Sequence, residues 1–228
     1  LGQIVYYFTS AVALGGPARP VSFTVPTGNF GDIFAGYAAK RMGLPIERLV
    51  IATNVNDILA RALASGRYEV RGVEATASPS MDIQVSSNFE RLLFEAGGRD
   101  ADAVRRQMER LAQARAFDID AATLAAIRSD FDAGRAGEDE TAATIRAVHA
   151  ATGFLPDPHP AVGLSVSRQF ADPAVPMVTL ATAHPAKFPA AVAAAAGTEA
   201  PLPEWLGDIT GRPERFVTLA NDLAAVED

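Results

Sequence analysis

A chain of 228 residues with 49% hydrophobic and 21% charged residues is long enough to bury one large core or two small ones, and this composition excludes an intrinsically disordered chain. A formal charge of -7 and a pI near 5.0 oppose nucleic acid and anionic membrane as main partners, because both polyanions are repelled at long range; a small ligand is the expected partner. The absence of cysteine excludes disulfides, zinc-thiolate sites and thiol catalysis, and permits a cytoplasmic location.

The first sixteen residues, LGQIVYYFTSAVALGG, are apolar but lack the basic start and the cleavage site of a secretion signal; they predict a buried helix. No other apolar run approaches the roughly 20 residues of a membrane span. Beginning at Leu1 inside such an element, the sequence reads as a piece of a longer protein. Val21 to Val25 is a short strand of β-branched and aromatic residues, stopped by Pro26. A turn holding Gly28 and Gly31 follows. Ile33, Phe34, Tyr37, Ala38 and Met42 then recur at helical spacing, with Asp32 at the start, Lys40 and Arg41 in the last turn and Gly43 beyond. The pattern repeats: Arg48 to Thr53 predicts a strand, and Asn56 to Ala64 a helix capped by Asn56 or Asp57 and closed by Gly66. This alternation predicts an α/β fold, an open, mostly parallel sheet with flanking helices.

Residues 79 to 95 carry a Ser86-Ser87-Asn88 start and a helical stripe of Phe89, Leu92 and Leu93; capping is the ordinary use of those polar residues, contact with a substrate phosphate the sharper one. From 99 to about 153 the chain is polar and rich in Ala, Arg and Asp, which predicts a helical insertion with little sheet. Its charge run, Arg105, Arg106, Glu109 and Arg110, reads as a solvated face, and His149 as a structural histidine in a helix. Sheet character returns at Val175 to Ala181, followed by Thr182-Ala183-His184-Pro185. An alanine-rich helix from Phe188 to Ala196 comes next, then a C-terminal helix from Pro213 with Phe216, Val217, Leu219 and Leu223.

A strand that enters a glycine turn and then a helix aims unpaired backbone N–H groups and the positive end of the helix dipole at one point, which suits an anion. Gly28 and Gly31 let the backbone approach a phosphate, and Thr27 offers a hydroxyl donor. The pattern lacks the third glycine of the dinucleotide fingerprint and the Lys-Ser/Thr of the Walker loop, so a single small phosphate is favoured. The competing reading is a plain strand-to-helix turn, with Asp32 as an N-cap.

Residues 21–45, VSFTVPTGNFGDIFAGYAAKRMGLP, with IATNVNDIL at 51–59, the 78–95 stretch and TLATAHPAKFP at 179–189, resemble threonine synthases, pyridoxal-phosphate (PLP) enzymes of the tryptophan-synthase β-subunit fold group. The resemblance spans the whole chain but only the second half of the family's sequence. It implies that residues 1–228 are the second half of the PLP-binding catalytic domain, partnered by the N-terminal half of the same protein. It further implies that Gly28, Asn29, Phe30, Gly31 and Asp32 bind the PLP phosphate, and that Thr182 meets the pyridine nitrogen. The imine-forming lysine is expected in the N-terminal half, so no catalytic residue and no metal ligand is assigned here, and this segment by itself is expected to be inactive. Lys40 reads as helix-end charge compensation and Lys187 as a surface or helix-start residue. The implied reaction turns O-phospho-L-homoserine and water into L-threonine and phosphate. A threonine or serine dehydratase of the same fold group and a non-enzymatic phospho-ligand module are the alternatives. His159 lies in DPHPAVG, where Pro160 replaces the family's usual threonine and removes a hydroxyl and an N–H. His184, close to Thr182, reads as a structural histidine, with lining of the pocket as the alternative.

Overall fold

The computed structural model describes residues 2–207 and 209–227. Helix α1 (Ile4–Ala13) precedes strand β1 (Val21–Pro26), helix α2 (Gly31–Arg41), strand β2 (Ile46–Thr53), helix α3 (Ile58–Ser65) and the short strand β3 (Arg67–Glu69). Helices α4 (Phe89–Ala96) and α5 (Ala101–Ala114), strand β4 (Ala116–Asp118), helix α6 (Ala121–Asp130), strand β5 (Phe131–Arg135) and helices α7 (Glu138–Thr152) and α8 (Pro158–Ser167) follow. Strand β6 (Met177–Thr179) and helices α9 (Pro189–Ala196) and α10 (Leu223–Glu227) complete the chain.

Four strands form one parallel sheet in the order β5-β2-β1-β6, with Phe23 opposite both Leu49 and Val178, and Ile51 opposite Ala133. Strand β1 is buried at every residue because helices cover both faces. On one face Phe23, Val25, Leu49 and Ile51 share a core with Ile33, Leu59 and Ile127 from α2, α3 and α6. On the other, Val50 and Ala52 pack with Val162 and Val166 of α8. The α/β sheet expected from the alternating pattern is present. From β1 the chain moves to β2 on one side, and β6 returns on the other. The crevice beyond the carboxyl ends of β1 and β6 is therefore a topological switch point, the place where open α/β sheets take ligands.

Four expectations about the helices and strands differ from the structure. The 99–153 stretch is mostly helical, yet it is not set apart from the sheet: it supplies β5, whose Phe131 is buried, and β4, which pairs antiparallel with β3. Its strands are only three and five residues long, too short to show a period beside three helices. Helix α1 is buried along one stripe, not all round. Tyr7 and Ala11 are enclosed, Tyr7 lying over Gly36, where a Cβ would come 2.5 Å from its ring, while Val5, Tyr6 and Val12 are exposed. The start of α3 is not capped by Asn56 or Asp57. Asn56 bonds Glu74 and Asp82, and Asp57 pairs with Arg61 at 2.8 Å; Gly66 does close the helix, with φ 78°. The stretch from Pro213 forms no helix before Leu223. Phe216 and Val217 are exposed there, and a short amphipathic pattern without a tertiary surface does not hold a helix. No helix among the described residues is long and apolar enough to cross a membrane.

Candidate functional site

The glycine turn leaves β1 and enters α2 under tight local control. Thr27 donates its N–H to Ala52 O at 2.8 Å, and its hydroxyl turns back to Val25 O at 2.6 Å. That hydroxyl is thus spent within the strand, against the expectation that it faces an anion. Gly28 passes the 78–83 loop so closely that a Cβ would lie 2.5 Å from the Ser80 carbonyl oxygen, so the glycine is demanded by the approach of a second backbone. Phe30 has φ 68°, a left-handed conformation that is unfavourable for a bulky residue. Its ring holds it there. Only 1% exposed, it packs edge-on to Phe89 at 5.3 Å and beside Phe131 at 5.8 Å. Asn29 is exposed, and its Oδ1 accepts the Gly31 N–H at 2.8 Å. Among the described residues, no acceptor meets the N–H groups of Gly28, Asn29 and Phe30. Three free donors thus stand in sequence at the positive end of the α2 dipole.

The carbonyls of the same turn are tied from outside. Ser86 Oγ donates to Gly28 O at 2.7 Å, and Asn88 donates to Asn29 O through both its backbone N–H, at 2.9 Å, and its Nδ2, at 3.0 Å. Neither side chain caps α4, so the capping expected of this cluster is replaced by support of the glycine turn. The 78–83 loop is itself braced by Asp82, whose Oδ1 accepts from Asn54 at 2.8 Å and Thr76 at 2.7 Å.

A cleft of about 570 Å³ opens at the switch point. Gly28, Asn29 and Asp32 line it from the turn, Thr179 to Ala183 from the end of β6, and Tyr6, Ser80, His159 and Lys187 from the remaining sides. Of the residues singled out from sequence, Gly28, Asn29, Asp32 and Thr182 meet here. Phe30 and Gly31 do not line the cleft: the phenyl ring is in the core, and a Cβ on Gly31 would press on Asn29 Oδ1 at 3.0 Å. Asp32 does not cap α2. Tyr7 donates its hydroxyl to the Asp32 carbonyl at 2.8 Å and lies 3.2 Å from Oδ1. Burial raises the Asp32 carboxyl above its ordinary 3.8, partly opposed by that hydrogen bond. The Tyr7 hydroxyl is pushed well above its usual value, by burial first and by the Asp32 charge second.

Lys187 is exposed on the rim, 5.8 Å above the Phe188 ring, while Lys40 is remote and pairs with Asp130 at 2.7 Å. His184 lines a neighbouring cavity with His149; its Nδ1 accepts the Ala186 N–H at 3.1 Å. His159 is buried at the start of α8 and lines the cleft. Its Nδ1 lies 2.8 Å from Asp157 Oδ1, and its Nε2 accepts the Ser80 N–H at 3.2 Å. Pro160 costs nothing there, since first-turn N–H groups of a helix have no internal partner. Tyr7, Ser80 and Asp157 carried no signal as site residues in the sequence, although an Asp before Pro158 is legible as the N-cap that it is, accepting the His159 N–H at 2.8 Å.

Residues 160–228 match the family described as "Threonine synthase, C-terminal". The chain is 47% identical to Threonine synthase of Pseudomonas aeruginosa over its full length and 49% of that protein. Along its whole length the chain is similar to threonine synthases. Two solved threonine synthases share its backbone. The PLP-bound enzyme from Brucella melitensis aligns with a TM-score of 0.94 and 64% identity over 99% of this chain and 48% of that one. The yeast enzyme aligns at 0.86 with 38% identity over 93% of this chain and 47% of that one. The chain thus spans about half the length of the threonine synthases that it matches.

Proposed function

We propose that this chain forms the second half of the PLP-binding catalytic domain of a cytoplasmic threonine synthase, completed by the N-terminal half of the same protein. The reaction is conversion of O-phospho-L-homoserine and water to L-threonine and phosphate. The observation that carries this reading is the run of three unpartnered amides at Gly28, Asn29 and Phe30, of which Gly28 and Asn29 line the same cleft as Thr182, in a chain similar to threonine synthases.

The residues fit a phosphorylated coenzyme. A phosphate needs donors unobstructed by a Cβ, and the Gly28 amide belongs to such a position, with helix α2 behind it. Lys187 is the only lysine or arginine lining the cleft among the described residues, so neutral amides and the helix dipole hold the anion. Gly31 serves by leaving room for Asn29, whose side chain fixes the turn; Phe30 would serve through its amide, with its ring as anchor; Asp32 lines the cleft while Tyr7 holds its carboxyl. Thr182 offers a neutral hydroxyl to the ring nitrogen, which supports a protonated ring less than a carboxylate does. When bound, PLP supplies the electron sink for carbanion chemistry at the substrate amino acid. The lysine that receives its aldehyde belongs to the N-terminal half.

The intact parent protein tests this. It is expected to absorb visible light, to be bleached by borohydride, and to release phosphate from O-phospho-L-homoserine. Ammonia release without phosphate assigns it to the dehydratases, and a colourless protein after PLP addition removes the coenzyme altogether.

A further inference from the structure

Two separate backbone segments must be held in fixed relation for one small ligand to touch both: the turn after β1 and the strand-end segment that carries Thr182. His159 touches the supports of both. Its Nε2 accepts the N–H of Ser80, the residue whose carbonyl abuts Gly28, and its ring lies 4.7 Å from that of Phe188, next to Lys187 in the segment that follows Thr182. Accepting at Nε2 leaves the proton on Nδ1, which donates to Asp157 Oδ1 at 2.8 Å. That same oxygen accepts the His159 backbone N–H, so ring and backbone are anchored on one carboxylate at the start of α8. Asp157 is fully buried and its Oδ2 has no partner among the described residues. A fully buried carboxylate used through one oxygen is costly for stability alone.

We infer that His159, oriented by Asp157, is a positioning residue that sets the spacing between the phosphate turn and the Thr182 segment, and so tunes coenzyme affinity. The inference rests on the coenzyme site proposed above. The chain of contacts runs from Asp157 through the imidazole to the Ser80 N–H, and from the Ser80 carbonyl to Gly28 by van der Waals approach. The imidazole also meets the Phe188 ring, tilted at 49° to it. A shift of the ring moves the wall against which Gly28 sits, and with it the three free amides.

The test uses the full-length enzyme. His159→Asn keeps a donor toward Asp157 and loses reach to Ser80; His159→Gln keeps an acceptor toward Ser80; His159→Phe keeps the ring volume and loses both bonds. Losing the bond to the partly buried Ser80 amide is expected to weaken PLP binding about tenfold in the Asn and Phe variants, with substantial recovery in the Gln variant. The ³¹P resonance of the bound coenzyme phosphate is expected to shift in the same order. Exchange of the Ser80 amide, followed in the apo form by hydrogen–deuterium exchange, is expected to accelerate in Asn and Phe and to stay slow in Gln. Should the Phe variant not fold, Asp157→Asn against Asp157→Ala gives the same comparison, since Asn retains an acceptor for both His159 donors. Equal PLP affinity in all variants, or equal loss in Gln and Asn, overturns the inference. A wild-type enzyme that binds no PLP defeats the functional reading instead, and the apo exchange result then reports on the Ser80 tie alone.

Discussion

Gly28→Ala probes the turn most directly. The added methyl carbon would sit 2.5 Å from the Ser80 carbonyl oxygen, about 0.5 Å inside the 3.0 Å limit that Cβ atoms respect, so either the turn or the 78–83 loop must retreat. The loop is poorly placed to yield, because Asp82 is held by Asn54, Asn56 and Thr76, and the Ser80 N–H is held by His159. The turn is equally pinned by Ser86 and Asn88 on its carbonyls. Overpacking of this kind costs about 1–3 kcal/mol. Taken up as displacement of the amides at Gly28 to Phe30, that corresponds to a loss of roughly 5- to 150-fold in PLP affinity. Titration of the full-length apoenzyme with PLP, followed by visible absorbance, measures it. Gly72→Ala is the control, since nothing lies within 4 Å of its Cβ position. Affinity unchanged in Gly28→Ala, or lost equally in the control, refutes the claim that this glycine is required by the Ser80 carbonyl.

Phe30→Ala empties the space between Phe89 and Phe131 and leaves a left-handed residue without its anchor; a loss of about 3–5 kcal/mol in stability is expected from urea denaturation, together with weaker PLP binding. For Asp32 the sign follows from its raised carboxyl pKa. The native state favours the protonated form, so stability from this group is complete below the unfolded value near 3.8 and is lost as pH rises through the higher folded value. Asp32→Asn has no such charge to bury. The apo variant should therefore gain stability relative to wild type between about pH 3.5 and pH 7, as read by denaturation at each pH; a difference flat with pH removes the burial argument.

The sheet and the turn were legible because their causes are local. Val21 to Val25 is β-branched and aromatic, Pro26 ends it, and glycines stand where the backbone must pass another chain segment; the following helix repeats at its own period with basic residues in its last turn. The polar 99–153 stretch hid β5, since a five-residue strand that pairs with β2 and buries only Phe131 and Gly134 needs no pattern of its own. The same limit applied to the site. Asp32 reads as an N-cap until Tyr7, 25 positions away, takes its carboxyl; Ser86 and Asn88 read as caps until the turn brings Gly28 and Asn29, 58 and 59 positions away, to their donors. Which residue types stand at the strand end was determined by the sequence alone. Which of their donors stay free for an anion was decided only by folding, because the answer depends on what every other group in the pocket has already bonded.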